Sequence, residues 1–447
     1  MTGASGKSWP HMTSRDEFHF LSDLVFTRSS ADHTMVSLHD HHAGTTRFAN
    51  NQVVQNVDTR RGTLRVTVAF DGQHGTASTT DFTAGAIQDT VTRAERIARV
   101  SPVDPEYLPP PKPCELPVRE TAKPETVAAG PSRRLEYANE AIGQCRMENL
   151  LAAGAVSSSM TAVGVAADNG LFGYEQQGAA RFSLTVQAGD TTGWSAAAHR
   201  SIDHLRVQER TLAAIRKAKC GREVQDLPAG TYPVILEPAA VAGLWAWLLW
   251  SLDAKSYAKG VSPFAGKLGH LVVDERISLR NSPDHPDLLG DGFTREGLPS
   301  FASIWIAQGR LQQLAYDRFT AKVDGVDPIP TLDAPVLSVD GFPVASIQDL
   351  VKNVERAILV TNFWYIRPVN DRSLLLTGMT RDGTFLVEKG EIVSAVKHFR
   401  FHESPLAAFQ QVEAWTHPME AVNSETGKML VPAMTLPRFH FSSATRF

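Results

Sequence analysis

The sequence predicts an α+β fold in two domains. The N-terminal one is a mixed α/β domain of antiparallel strands and helices. The C-terminal one is mostly β, of barrel or sandwich type. Three observations lead there. A chain of 447 residues is longer than one hydrophobic core ordinarily organises. Up to about residue 220, strand-like runs rich in Val, Thr and Leu alternate with amphipathic helical patterns. From about Leu332 onward, short β-type runs are separated by Gly, Pro and Asp turns. The expected layout is a tail and short helix over 1–28, an N-terminal domain over 29–225 and a C-terminal domain over 226–447. The N-terminal domain holds a Pro-rich connector at 102–113, and the C-terminal one a buried helix at 238–252.

The elements follow in order. The first dozen residues read as disordered, with Met12 as an alternative start, and they lack the apolar core of a signal peptide. A short helical pattern covers Phe18 to Arg28. Three β-type runs follow between residues 33 and 80, with turn signals at "HHAG", "ANN" and "FDGQHG". "TLRVTVAF" alternates as a strand should and runs into an Asp71-Gly72 turn. "AGAIQDTVTRAERIARV" places Ile87, Val91, Ala94, Ile97 and Ala98 on one helical face. Six prolines between 102 and 113 then impose an extended connector. A helix is expected over 134–153, β runs over 155–200 and a helix from about Asp203 to Ala218. No tandem repeat is apparent. The second half opens with the strand "YPVILEP" and the segment "EPAAVAGLWAWLLWSLDAKSY", which is apolar on every side and carries Trp245, Trp247 and Trp250. Its apolar stretch is about 15 residues, short of the roughly 20 needed to span a bilayer, so it predicts a buried helix. Asp382-Gly383 and Lys389-Gly390 have hairpin-turn chemistry.

Charge and cysteine content exclude several functions. A net charge of −4 gives no electrostatic case for nucleic acid or an anionic membrane. Cys114, Cys145 and Cys220 are odd in number and far apart, which argues against a disulfide framework and for a reducing, cytoplasmic setting. Without a C-x-x-C pair a thiolate zinc site is disfavoured, and Cys220 reads as a small buried hydrophobe. His39, His41 and His42 in "LHDHHAG" read as a water-facing turn. His398 and His402 sit four apart in a strand pattern, roughly 13 Å, too far to share one ion. Asp284, His285, Asp287 and Asp291 read as a surface turn. Neither a G-x-S-x-G elbow nor a P-loop is present.

Several long segments agree, in order, with one family. "TRFANNQVVQNVDTRRGTLRVTVAFDGQHGTAST", "NGLFGYEQQGAARFSLTVQAGD" and "TNFWYIRPVNDRSLLLTGMTRDGTFLVEKGEIVSAVKHFRF" resemble the TldD/PmbA family, specifically its PmbA (TldE) branch. The resemblance covers the chain from about residue 30. It implies a heterodimer in which a TldD-type zinc metallopeptidase, with a His-Glu-x-x-x-His helix, pairs with a PmbA-type chain lacking that motif to degrade unfolded or modified peptides. Such a site needs two imidazoles about one helical turn apart and a carboxylate beside them. The equivalent positions here hold Ala246, Trp247 and Ser251, none able to do either job, and no His lies between His204 and His270. The resemblance thus implies no catalytic residue, no metal and no cofactor in this chain, with zinc in a TldD-like partner.

By the same resemblance, Asn362, Tyr365, Arg367, Thr380 and Arg381 are candidates for a peptide cleft or subunit contact, beside Phe48, Asn50 and Asn51. The local readings compete. Trp364 and Tyr365 alternate along a strand, which would send one of them to the core. Arg381-Asp382-Gly383 has the chemistry of a simple turn, as does "RFANN". Expected partners are a TldD-like subunit, or a second copy of this chain, and an unfolded peptide. No nucleic acid or membrane partner is expected. Two other functions stay open at this point: a peptide-binding scaffold without proteolysis, and a hydrolase whose metal site has moved to the His39–His42 segment.

Overall fold

The computed structural model describes residues 11–119, 121–220, 224–423 and 427–444. The N-terminal half is one antiparallel sheet. Its strands are β1 (His33–Ala49), β2 (Gln52–Phe70), β3 (Gln73–Thr79), β4 (Leu151–Ala167), β5 (Phe172–Ala188) and β6 (Thr191–His199), ordered β3-β2-β1-β4-β5-β6. Left-handed residues close the first two hairpins. Asn50 and Asn51 (φ 50° and 60°) join β1 to β2, and Asp71 with Gly72 (φ 47° and 82°) join β2 to β3. Even-numbered residues of β1 are buried from end to end, so one sheet face carries the core. That face is covered by α1 (Arg15–Phe26), α2 (Ala84–Val100), the short α3 (Pro124–Val127), α4 (Pro131–Met147) and α5 (Val207–Lys219).

The strand order reads as two copies of one unit, β1-β2-β3-α2 and β4-β5-β6-α5, joined through the β1/β4 pair. A Cβ on Gly75, third in β3, would lie 2.3 Å from the Ala94 carbonyl of α2. A Cβ on Gly193, third in β6, would lie 2.2 Å from the Ala214 carbonyl of α5. Both helices therefore rest directly on the backbone of an edge strand. The sequence shows no tandem repeat, yet the architecture repeats, because what is shared is strand length and one glycine per unit rather than a residue pattern.

Four expectations for this half need correction. "HHAG" is not a turn but the middle of the 17-residue β1. Met12 and Thr13 are buried, and the Thr13 N–H donates to Asp40 at 2.9 Å. The rest of the segment expected to be disordered, apart from His11, lies outside the described residues. The helix expected over 134–153 ends at Met147, and β4 begins at Leu151 after a left-handed Asn149. The helix expected from Asp203 is a 3-10 turn, Ile202–Leu205, broken from α5 by Arg206 at φ 49°. The Pro-rich connector has no helix or strand. It straps the two halves, since Asp104 donates its N–H to Gly72 while Glu106 pairs with Lys255 at 2.6 Å.

In the C-terminal half the strands are β7 (Val224–Gln225), β8 (Gly230–Leu236), β9 (Ile277–Asn281), β10 (Ser303–Ala307), β11 (Arg310–Leu311), β12 (Pro335–Val339), β13 (Arg356–Asn370), β14 (Leu375–Glu388), β15 (Glu391–Val396), β16 (Phe399–Glu403), β17 (Ala414–Trp415), β18 (Met419–Asn423), β19 (Gly427–Val431) and β20 (Met434–Ala444). Five of them close on themselves as β13-β8-β20-β16-β14-β13, a small barrel. A second, mixed sheet runs β11-β10-β9-β12-β19-β18. The chain is therefore α+β with a β-barrel in its C-terminal region.

Helix α6 (Pro238–Trp250) touches both the barrel strand β13 and strands β18 and β19 of the second sheet. Sheets on two sides account for its lack of a polar face. Trp245 is fully buried against Phe409, with ring centroids 5.5 Å apart. Burial fades at its end. Trp247 is half-buried, and Trp250, met edge-on by Trp247, is exposed. No helix among the described residues is long and apolar enough to cross a membrane.

Candidate functional site

Strands β13 and β14 carry five of the eight predicted site residues, Asn362, Tyr365 and Arg367 on β13 and Thr380 and Arg381 on β14. Their pairing slips three times, the last between Pro368 and Asn370, and the first two slips shape the site. Val360 faces Thr384 and Asn362 faces Arg381, so Thr361 alone opposes Asp382 and Gly383. Trp364 faces Met379 and Arg367 faces Thr377, so Tyr365 and Ile366 oppose only Gly378. Both are β-bulges. The first shows that Asp382-Gly383 (φ 54° and 129°) is a bulge inside β14 and not the expected hairpin. Lys389-Gly390 (φ 49° and 79°) does join β14 to β15.

The second bulge holds Tyr365 at φ 55°, a conformation costly for a non-glycine residue. It cancels the alternation expected of neighbouring strand residues. Trp364 and Tyr365 are 46% and 53% exposed, on the same side, with ring centroids 5.6 Å apart. Each ring carries a guanidinium. Arg381 lies 4.3 Å from the Trp364 centroid and Arg367 lies 4.3 Å from that of Tyr365. Gly378 is the counterpart of this bulge, because a Cβ there would lie 2.6 Å from the Phe401 ring. Beyond Val360, where β8 stops pairing, β13 has a strand neighbour on one side only among the described residues.

The remaining candidates are placed differently. Thr380 is 1% exposed, and its hydroxyl accepts the Phe399 N–H at 3.0 Å, so it is buried beneath the exposed face that Arg381 joins. Phe48 is 2% exposed in the core beneath α4. Asn51 ties the β1–β2 turn to β4, accepting the Ala152 N–H at 2.7 Å and donating to the Leu150 carbonyl at 2.8 Å. Asn50 is exposed at the tip of that turn, and Asn362 is half-buried beside Arg381. Strand alternation divides the histidines. His39 and His41 stack on one face of β1, while His42 is buried on the other, 3.9 Å from Asp58. A moved metal site built from all three is thereby overturned, and no group of three such ligands occurs among the described residues. His398 is packed against Thr380 and Thr384 while His402 is exposed, so these two are also apart. Cys220 is exposed rather than buried.

Sequence reasoning missed Glu175. It lies on β5 under the loop that carries Asp291 and Gly292, and is 2% exposed. Burial is the main cause that pushes its carboxyl up to about 7, against the amide of Gln177 at 2.6 Å and the N–H of Gly292 at 3.0 Å. A Cβ on Gly292 would stand 2.5 Å from the Glu175 carboxylate, so only glycine admits this approach. The contact joins the N-terminal sheet to the C-terminal half.

Residues 229–443 match the model of the PmbA/TldA metallopeptidase C-terminal domain, and residues 35–98 match that of PmbA/TldA metallopeptidase domain 1. The chain belongs to the PmbA/TldD metallopeptidase family. Solved structures agree on the fold. TldE from Thermococcus kodakarensis is 19% identical with a TM-score of 0.85, covering 96% of this chain and 99% of that one. A protein described as a candidate modulator of a DNA gyrase, from Thermotoga maritima, is 19% identical with a TM-score of 0.81, covering 95% and 99%. A similarly described protein from Bacteroides thetaiotaomicron is 16% identical with a TM-score of 0.82, covering 97% and 100%. No curated protein matches the chain.

The positions on α6 that the resemblance would give to zinc ligands and base can be tested for fit to that ion. Ala246 offers a methyl group and is fully buried. The Trp247 indole can only donate a hydrogen bond. Ser251, at the helix C-cap, donates its hydroxyl hydrogen to the Trp247 carbonyl at 2.7 Å. These residues of this PmbA/TldD family member do not fit a zinc ion.

Proposed function

We propose that this chain is a non-catalytic, TldE-like subunit. It holds an unfolded or modified peptide and completes the cleft of a TldD-like partner that brings the zinc. The observation that carries this reading is α6. At the positions that the family resemblance gives to ligands and base, the helix presents a buried alanine, an indole and a hydroxyl engaged with the backbone. Peptide holding is supported by β13, which beyond Val360 has one strand neighbour among the described residues and exposes Trp364 and Tyr365. An extended chain can pair with such a strand through its main chain, which tolerates many sequences.

The test combines zinc stoichiometry with peptidase assays. The purified chain alone should hold no stoichiometric zinc and leave unfolded casein intact. Mixed with the TldD-like chain of its own organism, it should raise that chain's casein cleavage at least tenfold and co-elute with it. One tightly held zinc per chain with chelator-sensitive cleavage by the chain alone would refute the reading. Peptide binding without any effect on a TldD-like chain would establish the scaffold alternative instead.

A further inference from the structure

We infer that the exposed face of β13 selects extended peptides bearing two acidic side chains four residues apart. This rests on the peptide-holding reading above and adds the class of peptide. Two arginines bracket the aromatic pair. Arg367 packs on Tyr365, and the one hydrogen bond described for its guanidinium goes to the neighbouring Ile366 carbonyl at 2.7 Å. Arg381 packs on Trp364 and is ion-paired through its Nε with the largely buried Asp382 at 3.3 Å, while its own side chain stays exposed. Arg400, opposite Met379 on β16, adds a third cation to the same face. A guanidinium lying on an aromatic ring keeps its planar fork oriented, and its outward N–H groups suit a carboxylate. Positive charge on this face therefore calls for an acidic occupant.

Register sets the spacing. Arg367 faces Thr377 and Asn362 faces Arg381. The arginines are thus separated by the Thr377–Arg381 span, four residues or roughly 13 Å along the strands. In an extended peptide, residues i and i+4 lie on one face at about the same separation. Residues i and i+3 point to opposite faces and cannot reach both cations. The Tyr365 bulge supports a binding role, because it holds both rings outward in a conformation that a regular strand would not adopt.

The experiment uses the full chain and fluorescein-labelled eleven-residue peptides of Thr, Ser and Gln. One carries Glu at positions 4 and 8, one carries Glu at 4 and 7, and one carries Gln at all three. Anisotropy titrations should show about tenfold tighter binding of the 4,8 peptide than of the Gln peptide, since each exposed ion pair contributes about threefold and two multiply. The 4,7 peptide should gain no more than about threefold. The preference should collapse in Arg367→Gln with Arg381→Gln, and with salt raised from 50 to 500 mM. Both arginines are surface residues, and an unchanged melting curve of the double variant certifies its fold. Equal binding of all three peptides, unmoved by the substitutions, overturns this inference and leaves peptide holding intact. Absence of binding to any peptide at 1 mM overturns both. Displacement of the 4,8 peptide by oligo-dT at lower concentration than by unlabelled peptide overturns it in favour of single-stranded nucleic acid.

Discussion

Replacing Glu175 by glutamine should make the protein more stable, and only above a definite pH. Below about pH 4.5 the carboxyl is neutral in both folded and unfolded chains, so it contributes no pH dependence. Between 4.5 and about 7 the unfolded chain releases this proton while the folded chain keeps it. The unfolded state then binds fewer protons, and stability falls as pH rises. Above about 7 both states are ionised and the loss is constant. A displacement from 4.5 to about 7 corresponds to about 3 kcal/mol at roughly 1.4 kcal/mol per pH unit. Glutamine keeps a carbonyl oxygen for the Gly292 N–H but carries no charge to desolvate. Urea unfolding of parent and Glu175→Gln at half-unit steps from pH 5 to 8 measures the difference. The gap should be small at pH 5, grow through pH 6 and 7, and level near 3 kcal/mol. A gap that stays constant across this range would mean that Glu175 titrates normally in the folded protein, and the burial argument would fail.

Other substitutions test separate parts of the structure. Gly75→Ala and Gly193→Ala place a methyl 2.2–2.3 Å from helix backbone. Each should lower stability by about 2–3 kcal/mol by forcing α2 or α5 off its strand, measured as a shift in urea midpoint. Trp245→Ala should cost about 3–5 kcal/mol, whereas Trp250→Ala, at an exposed position, should cost less than about 1 kcal/mol by the same measurement. At the left-handed Tyr365, Gly should stabilise by up to about 1 kcal/mol and Val should destabilise by about 1–2 kcal/mol. If Val equals Gly in thermal melts, the backbone there is not strained.

Features set by local backbone chemistry were legible in the sequence. Asn50-Asn51, Asp71-Gly72 and Lys389-Gly390 all take positive φ and all reverse the chain. Asp382-Gly383 has the same chemistry and does not, because a dipeptide dictates its own torsions but not whether the flanking segments fold back on each other. The candidate face was half legible. Alternation assigns Trp364 and Tyr365 to opposite sides, and only the cross-strand register reveals the bulge that puts them together. Thr380 misled for the converse reason, since its neighbour Arg381 points outward and period-two geometry then turns Thr380 inward. Glu175 left no local signal at all. Its burial is made by a loop 117 residues away, and a polar residue in a strand otherwise reads as solvent-facing.

Installing on α6 the His-Glu-x-x-x-His residues that the resemblance implies for a TldD-type chain should not create a metal site. Positions 246, 247 and 251 would have to become His, Glu and His. Residues five apart on a regular α-helix are rotated by about 140° from each other, at roughly 100° per residue. Two imidazoles reach one ion from such positions only if the helix is locally unwound or widened. In this chain α6 stays helical to Trp250, and Ser251 takes the cap with its N–H on the Leu248 carbonyl. Ala246 meets core on its side, so an imidazole there would have to displace packed side chains at a cost of about 1–3 kcal/mol. The triple variant Ala246→His, Trp247→Glu, Ser251→His is therefore expected to be less stable than the parent and to bind zinc no more tightly, as read by competition with a chromogenic chelator. Stoichiometric zinc in the folded triple variant would show that the helix end can unwind at little cost. The identity of the residues at 246, 247 and 251 would then suffice to decide metal binding, and the surrounding packing would have no part in it.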